Sequence, residues 1–389
     1  MRLVAILGAL TAIGPLSIDM YLPALPQMAA DLSTGPVQIQ LTLTACVVGL
    51  ALGQVVAGPL SDAWGRRRPL LIGLAAYATA SLLCVVAPTV ETLIGLRLIQ
   101  GAAGGAGIVI GRAIVRDLYD GAALARVFSL LMMVMGLAPI LAPVLGGQLL
   151  RVTRWSGVFV VLGGVGVVLC LAALLGLRET LPRDDRGDGG LRGTLSTFRG
   201  LVSDWAFLGY AVCSGMAFAA MFTYISGSPF VLQDIYGLSP QAFSLVFGAN
   251  AFGLVAASQV GGVLVGRVAP RTLLAAGLTM LVIGGIGLAA AVLAGAGLPA
   301  VLPALFLVVS AQGLIGPNAM ALALSGRPAQ VAGSASALLG LTMFATGGTV
   351  APLAGIAGPD TALPMALVIA ALALGATGAA AIRARPSPS

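Results

Sequence analysis

Residues 58–71 (GPLSDAWGRRRPLL) separate two apolar runs, each of which is long enough to cross a lipid bilayer. The link holds one acid, Asp62, and three consecutive arginines, Arg66 to Arg68. Two spanning segments joined by so short a link must form a tight hairpin, and a basic link is typical of the cytoplasmic side of a membrane. The hairpin therefore predicts a multi-pass membrane protein and sets the expected orientation of every other segment.

The composition of the chain supports this prediction. Charged residues make up 8% of the 389 residues and hydrophobic residues 59%, whereas a soluble domain carries about 25% charged residues. Gly and Ala are frequent in the apolar runs and strand alternation is absent, which favours helices over a barrel. The four cysteines lie singly in apolar runs and the chain has no histidine, so neither a disulfide, a metal site nor imidazole chemistry is expected.

Hydropathy predicts an all-α membrane protein with twelve transmembrane helices, arranged as six, a linker and six. The first apolar run, residues 3–25, also resembles a signal peptide, but it continues past Asp19 and Tyr21 and further spans follow at once. We therefore expect it to be the first helix. The remaining predicted spans are residues 37–58, 70–88, 93–115, 125–149, 155–177, 205–232, 239–265, 271–294, 299–324, 333–356 and 361–382. The predicted domains are an N-terminal six-helix bundle, a cytoplasmic linker and a C-terminal six-helix bundle with a short tail, at residues 1–178, 179–203 and 204–389.

The distribution of the arginines predicts the orientation of the chain. With the N-terminus inside, the cytoplasmic segments carry 17 of the 20 basic residues, the outside loops carry Arg151 and Arg154, and Arg97 lies in a span. This bias predicts that both termini are cytoplasmic. It also accounts for the net charge of +7 without a nucleic-acid partner.

The two halves of the chain carry matching residues in the same order, which suggests a duplicated six-helix unit. Parallel repeats of this kind form two pseudo-symmetric bundles with a substrate site near the membrane midplane. The charged residues differ between the halves, because Phe222 occupies the position that corresponds to Asp19. The matching pairs are Tyr21 with Tyr224, Gly65 with Gly266, Gln100 with Gln312, and Pro143 with Pro352.

Asp19 is the acid that lies well inside a predicted span, and Arg97 is the base that does so. A carboxylate in hydrocarbon costs roughly 2.5–3.5 kcal/mol on insertion scales, so it must face a cavity, pair with a cation or be protonated. Asp19 therefore predicts a proton-coupling or substrate site, with a structural ion pair to Arg97 as the alternative. Arg97 belongs either to the proton or substrate pathway or to that structural pair.

Polar and aromatic residues within the other spans are candidates for a substrate cavity, although each is also a plausible packing residue. Together they predict a mostly apolar pocket, which suits moderately apolar small molecules better than sugars. Prolines and glycines in the fifth span predict either a hinge at a moving interface or simple kinks. The substrate candidates are Tyr21, Gln100, Phe222, Tyr224, Asn250 and Asn318, and the hinge candidates are Pro139, Pro143, Gly146 and Gly147.

Several of these segments resemble the Major Facilitator Superfamily. GPLSDAWGRRRP resembles the family's signature between spans two and three, RLIQGAAGGAG its span-four motif, and APVLGG its span-five antiporter motif. In the last of these, Ala142 stands where a Gly often precedes the Pro. SIDMYLPALP, GRAIVRDLY, YISGSPFVLQ and GPNAMAL are similar to the Bcr/CflA group of multidrug efflux transporters.

This resemblance implies a drug:proton antiporter of bicyclomycin or phenicol type that works by alternating access in the bacterial inner membrane. Asp19 would engage the proton or drug, and Arg97 would be tied to proton movement. The implied partners are a small drug, protons and lipid; we expect a monomer that needs no cofactor besides the proton gradient. The second half, GRVAPRTL, lacks the acid of the signature, so one half would carry the conformational latch. The latch residues would be Gly58, Asp62, Gly65, Arg66, Arg67, Arg112 and Asp117.

Other functions remain as alternatives. A membrane enzyme would need a nucleophile with its base or a metal cluster, which this composition does not favour. A membrane sensor or scaffold is a further alternative, but nothing in the sequence suggests a signalling domain. Within transport, the alternatives are an exporter of a metabolite such as an amino acid or sugar, a proton symporter, or a facilitator of the same fold.

Overall fold

The computed structural model describes residues 2–182, 204–325, 329–358 and 360–381. Within these ranges the regular secondary-structure elements are all helices, and the β-type pairing is limited to an isolated bridge between Val265 and Val268. Twelve helical segments in the described part of the chain are long and apolar enough to cross a membrane. The predicted all-α membrane fold with twelve spans is confirmed, whereas the orientation of the termini stays a prediction.

The chain divides into two compact units. The first comprises Met1–Thr34 with Leu41–Gly190, and the second comprises Gly35–Gln40 with Leu191–Ser389. Most of the predicted linker, residues 183–203, lies outside the described residues. The predicted domain boundaries at residues 178 and 204 therefore stay a prediction.

Thirteen α-helices are present in the described residues. Those of the first half are α1 (Arg2–Asp19), α2 (Leu25–Asp31), α3 (Pro36–Trp64), α4 (Arg67–Val85), α5 (Val90–Leu118), α6 (Gly121–Leu149) and α7 (Trp155–Gly176). Those of the second half are α8 (Trp205–Phe230), α9 (Pro240–Leu264), α10 (Pro270–Leu293), α11 (Leu298–Leu324), α12 (Ala329–Val350) and α13 (Leu363–Ala381). A π-helical turn, Val231–Ile235, follows α8, and a 3₁₀ turn, Ala351–Gly355, follows α12.

The first span is interrupted rather than continuous over residues 3–25. Helix α1 ends at Asp19, a 3₁₀ turn covers Leu22–Ala24, and α2 continues the span to Asp31. Pro23 explains the break, because a proline has no amide hydrogen and its ring collides with the carbonyl four residues earlier, which here belongs to Asp19. Asp19 therefore lies at the C-terminal end of a helix inside the span.

The link between the second and third spans is shorter than the sequence suggested. Helix α3 continues to Trp64 and α4 begins at Arg67, so Asp62 lies on the last turn of α3. Gly65 makes the turn with a φ of +88°, a left-handed conformation that glycine adopts without a steric penalty. Gly266, its counterpart in the second half, has a φ of +85°.

Helices α3 and α5 pack backbone to backbone. A Cβ on Gly101 would lie 2.1 Å from the carbonyl oxygen of Cys46, and one on Gly105 would lie 2.3 Å from that of Leu50. Small residues four apart on one helix permit this close approach of a neighbouring backbone. Helix α5, which carries Arg97, is thereby held tightly within the first unit.

Candidate functional site

The break in the first span places Asp19 in a confined environment. Its side chain is buried, with 6% of the residue exposed. Among the described residues it forms neither an ion pair nor a side-chain hydrogen bond. Gly146 of α6 packs directly against the break, since a Cβ at this glycine would lie 1.8 Å from the carbonyl oxygen of Met20.

Arg97 of α5 is completely buried beside the same break. Its Nη2 donates to the carbonyl oxygen of Ser17 at 2.7 Å, and its Nη1 donates to Oε1 of Gln100. Ser17 lies in the last turn of α1, where carbonyls have no partner further along the helix and the helix dipole is negative. The guanidinium charge is therefore stabilised by a helix terminus.

Two aromatic rings complete the surroundings of Arg97. The guanidinium carbon lies 4.2 Å from the ring centroid of Tyr21 and 5.6 Å from that of Phe159, within the range of cation–π attraction. The Tyr21 hydroxyl lies 3.1 Å from the Thr42 hydroxyl. Because no described carboxylate pairs with Arg97, the structural ion pair with Asp19 that the sequence left open does not form.

Three hydroxyl residues that the sequence analysis did not select join this arrangement. Gln100 Nε2 donates to Ser81 Oγ at 2.7 Å, and the Tyr77 hydroxyl lies 2.7 Å from Ser17 Oγ. Ser81 in turn donates to the Tyr77 carbonyl. The spacing of Tyr77 and Ser81, four residues apart on one face of α4, was a weak signal for them, since hydroxyls in such helices often bond only their own backbone.

The candidates in the second unit form separate contacts. Asn250 Nδ2 donates to the Tyr224 hydroxyl at 2.8 Å, so the structure brings this pair together. Phe222 stacks on Phe218, with 5.9 Å between ring centroids. Asn318 Nδ2 donates to a carbonyl of its own helix. All four candidates are buried.

Arg66 is the centre of an ion cluster at the end of α3. Its Nε donates to Asp117 Oδ2 at 2.9 Å, and its Nη1 donates to Asp62 Oδ1 and, at 2.9 Å, to Ser61 Oγ. Thr180 Oγ1 donates to the same Asp117 oxygen at 3.0 Å. We call Asp62, Arg66 and Asp117 the Arg66 cluster.

Glu179, another residue that the sequence analysis did not select, follows the C-terminal end of α7 and contacts the backbone of Arg66. Its Oε1 accepts the backbone N–H of Arg66 at 2.7 Å and its Oε2 accepts that of Arg67 at 3.3 Å, at the start of α4, where helical amides lack partners. Partial burial alone raises the pKa of the Glu179 carboxyl, but the backbone hydrogen bonds outweigh it and hold that pKa below its ordinary value.

The other predicted latch residues lie around the Arg66 cluster with different partners. Arg112 does not join it; its Nη2 lies 3.4 Å from the sulfur of Met135. Arg67 Nη2 donates to the Leu174 carbonyl at 2.7 Å. The Gly58 carbonyl accepts the Ser61 hydroxyl, which in turn accepts Arg66.

The predicted hinge lies on an uninterrupted helix. Helix α6 runs from Gly121 to Leu149 through both Pro139 and Pro143. Gly146 and Gly147 are buried, and the contact of Gly146 with the broken first span gives this part of the motif a defined packing role. No group of three or more His, Cys, Asp or Glu among the described residues is arranged to hold a metal ion.

The family model described as the Major Facilitator Superfamily matches residues 7–352. The chain belongs to the Major Facilitator Superfamily. Proteins of this family are transporters and not enzymes, so the chain is a multi-pass membrane transporter of small molecules. A solved structure, that of the nucleoside transporter NupG, superposes with a TM-score of 0.81 at 12% identity over 98% of this chain and 99% of its own, which supports the fold alone.

Curated relatives place the chain within this superfamily. An uncharacterized MFS-type transporter, YdgK of Bacillus subtilis, is 39% identical over 95% of this chain and 92% of its own length. The bicyclomycin resistance protein homolog of Haemophilus influenzae is 31% identical over 94% and 92%. The multidrug resistance protein MdtL of Salmonella schwarzengrund is 29% identical over 73% and 71%. The resemblance to the superfamily's multidrug efflux transporters is confirmed.

Proposed function

We propose that this transporter is a drug:proton antiporter that exports small, moderately apolar molecules of bicyclomycin or phenicol type by alternating access. It works as a monomer in the bacterial cytoplasmic membrane, with both termini cytoplasmic. The proton gradient supplies the energy and no cofactor takes part.

The observation that carries this proposal is the environment of Asp19. Its carboxyl is buried at a helix break within a span, and no described cation neutralises it. A membrane-embedded carboxyl without a partner is a functional site by default, because it can exchange a proton or a cationic ligand group. Since Arg97 is stabilised by the end of α1, it leaves Asp19 available for that exchange.

Support for a drug as substrate comes from the relatives and from the residue types. One relative is named for bicyclomycin resistance and another for multidrug resistance. The buried candidates in the second unit are aromatic rings and two amides, a set that suits apolar molecules with few hydrogen-bonding groups. The Arg66 cluster would hold one of the two transport states, because an ion cluster that either forms or breaks gives discrete conformations.

The test is transport in reconstituted vesicles under an imposed pH gradient, with bicyclomycin and a phenicol added in turn. We expect the wild-type protein to move the drug against the flow of protons. Asp19→Asn keeps the shape of the side chain but cannot exchange a proton, so we expect coupled movement to be lost. Asp120→Asn removes an exposed carboxyl that caps no backbone amide and should transport as the wild type does.

Two outcomes would contradict the proposal. Coupled transport that survives in Asp19→Asn would place proton exchange elsewhere in the chain. Movement only down the drug gradient, in wild type and variant alike, would identify a facilitator.

A further inference from the structure

The second unit contains a groove that plays no part in the proposed transport pathway. It lies between α8, α10 and α13 and has a volume of about 450 Å³. Its lining is almost entirely apolar, with charged and hydroxyl groups confined to a few positions. Residues that define its extent are Tyr210, Arg271, Leu278, Ile283, Thr377 and Ala381.

The groove has the length of a single membrane leaflet. Its lining on α10 extends from Arg271 to Ile283, and twelve helical residues span about 18 Å. The hydrocarbon core of a bilayer is about 30 Å thick, so one leaflet is about 15 Å. An acyl chain that runs along α10 would therefore fit from the membrane surface to the midplane.

The hydroxyl groups inside the groove do not make it polar. Thr279 Oγ1 donates to the Ala275 carbonyl at 2.9 Å, and Thr377 Oγ1 donates to the Ala373 carbonyl at 2.9 Å. Both threonine hydroxyl hydrogens are therefore used within their own helices. Such walls favour a hydrocarbon chain over a polar ligand.

Among the described residues that line the groove, Arg271 is the one cation, and it lies at one end. Arg271 is exposed in the first turn of α10, and it forms no ion pair with any described residue. Ala381, in the last turn of α13, lines the groove too. The ends of two spans thus place the guanidinium at the level where the lipid headgroups lie.

We propose that this groove binds an anionic phospholipid, with one acyl chain along α10 and the phosphate at Arg271. A guanidinium recognises phosphate through paired hydrogen bonds, and basic pockets between spans select anionic headgroups. The apolar length and the terminal charge together match a lipid, whereas free phosphate would use only the charge.

The proposal is tested by native mass spectrometry of the purified full-length protein after titration with phosphatidylglycerol, phosphatidylcholine or inorganic phosphate. We expect phosphatidylglycerol to remain bound at least about tenfold more than phosphatidylcholine. Arg271→Gln should remove most of this selectivity. Ala275→Leu, which fills the groove, should reduce the retention of both lipids.

Matched controls separate this site from general effects. Ala276 is exposed on the same helix and does not line the groove, so Ala276→Leu should bind lipid as the wild type does. Arg151→Gln removes an exposed arginine of the first unit and should leave the selectivity unchanged. Each variant is compared only if it elutes from the column as a monodisperse peak. The substitution Arg271→Lys keeps the positive charge and provides a second test of the same position.

Several results would overturn the proposal. Equal retention of phosphatidylcholine would remove the role of the anionic headgroup. Retention of phosphatidylglycerol by Ala275→Leu would place the lipid elsewhere, and displacement of the lipid by inorganic phosphate would show a simple anion site. A dimer that is lost in Ala275→Leu, without bound lipid, would show that a second copy of the chain covers the groove.

Discussion

Arg97 shows how one residue carries a buried charge without a carboxylate. Removing a cation from water costs several kcal/mol unless other groups replace its hydration. Here the Ser17 carbonyl, the Gln100 side chain and the face of Tyr21 take that place. The arrangement depends on the planar, forked shape of the guanidinium, which an ammonium group cannot reproduce.

Arg97→Lys tests whether this geometry or the charge alone is required. The lysine keeps the charge but replaces the two nitrogens that serve Ser17 and Gln100 with a single one. We therefore expect a loss of about 1.5–3 kcal/mol in stability and a roughly tenfold lower transport rate. Arg97→Gln should be lower still. Thermal unfolding in detergent and drug transport in vesicles measure the two effects; full transport by Arg97→Lys would show that the charge alone suffices.

At the residue scale, the sequence revealed charge better than it revealed neutral partners. Asp19 and Arg97 stood out because charges are rare inside spans. Ser17, Tyr77 and Ser81 did not, because a hydroxyl in a helix can satisfy itself on its own backbone. Whether Asp19 pairs with Arg97 was equally hidden, since it depends on where α1 ends.

Glu179 gives the protein a testable dependence on pH. Because backbone hydrogen bonds hold its pKa below the ordinary value of about 4.3, the ionised carboxylate stabilises the folded state at pH values above that value. The stabilisation is lost as the pH falls through the lower, folded-state pKa.

We therefore expect the melting temperature of Glu179→Gln to lie below that of the wild type at pH 7. The difference should shrink once the pH falls below about 4, where the wild-type carboxyl is also protonated. Thermal unfolding between pH 3.5 and pH 8 measures it, and Asp120→Asn serves as the control for the loss of a surface charge. A difference that stays constant over this range would exclude the carboxylate as its cause.

At the scale of elements, the broken first span organises the candidate site. Hydropathy sums the apolar character of residues and does not register a missing hydrogen bond, so it predicted one continuous helix over residues 3–25. The signal was present in Pro23, whose ring excludes a helical bond to Asp19. By the pairing of Tyr21 with Tyr224, the position of the second half that corresponds to Pro23 is Ser226, and α8 continues through it.

Gly146→Ala tests the contact between α6 and this break. The new Cβ would lie 1.8 Å from the Met20 carbonyl oxygen, so the two elements must separate, at a cost of about 1–3 kcal/mol. We expect a lower melting temperature and slower transport, because the environment of Asp19 shifts with the break.

Gly164→Ala is the matched control for this change. A Cβ added at Gly164, on α7, would meet no atom of a neighbouring element within 4 Å, so alanine should be neutral or slightly stabilising. A Gly146→Ala protein as stable and as active as Gly164→Ala would show that the structure absorbs the added methyl group without separating the two elements.

At the scale of the whole molecule, the sequence predicted the number and kind of helices well, because bilayer thickness imposes a minimum apolar length on each span. It did not predict the role of Glu179, because that residue meets α4 only after the chain has passed through α7. Contacts between distant parts of a chain leave no local pattern.

The arginine distribution leads to a prediction for the whole chain that reporter fusions can test. Seventeen arginines lie on segments predicted to be cytoplasmic and two lie on outside loops, and this asymmetry should hold both termini in the cytoplasm. A green fluorescent protein fused after Ser389 should therefore fluoresce, because it folds in the cytoplasm, whereas alkaline phosphatase fused there should be inactive. Alkaline phosphatase fused after Thr153, in the loop between α6 and α7, should be active. The opposite pattern at both positions would show that the orientation is reversed. The Arg66 cluster would then lie on the outer face of the membrane, and the proposed latch would have to hold the other transport state.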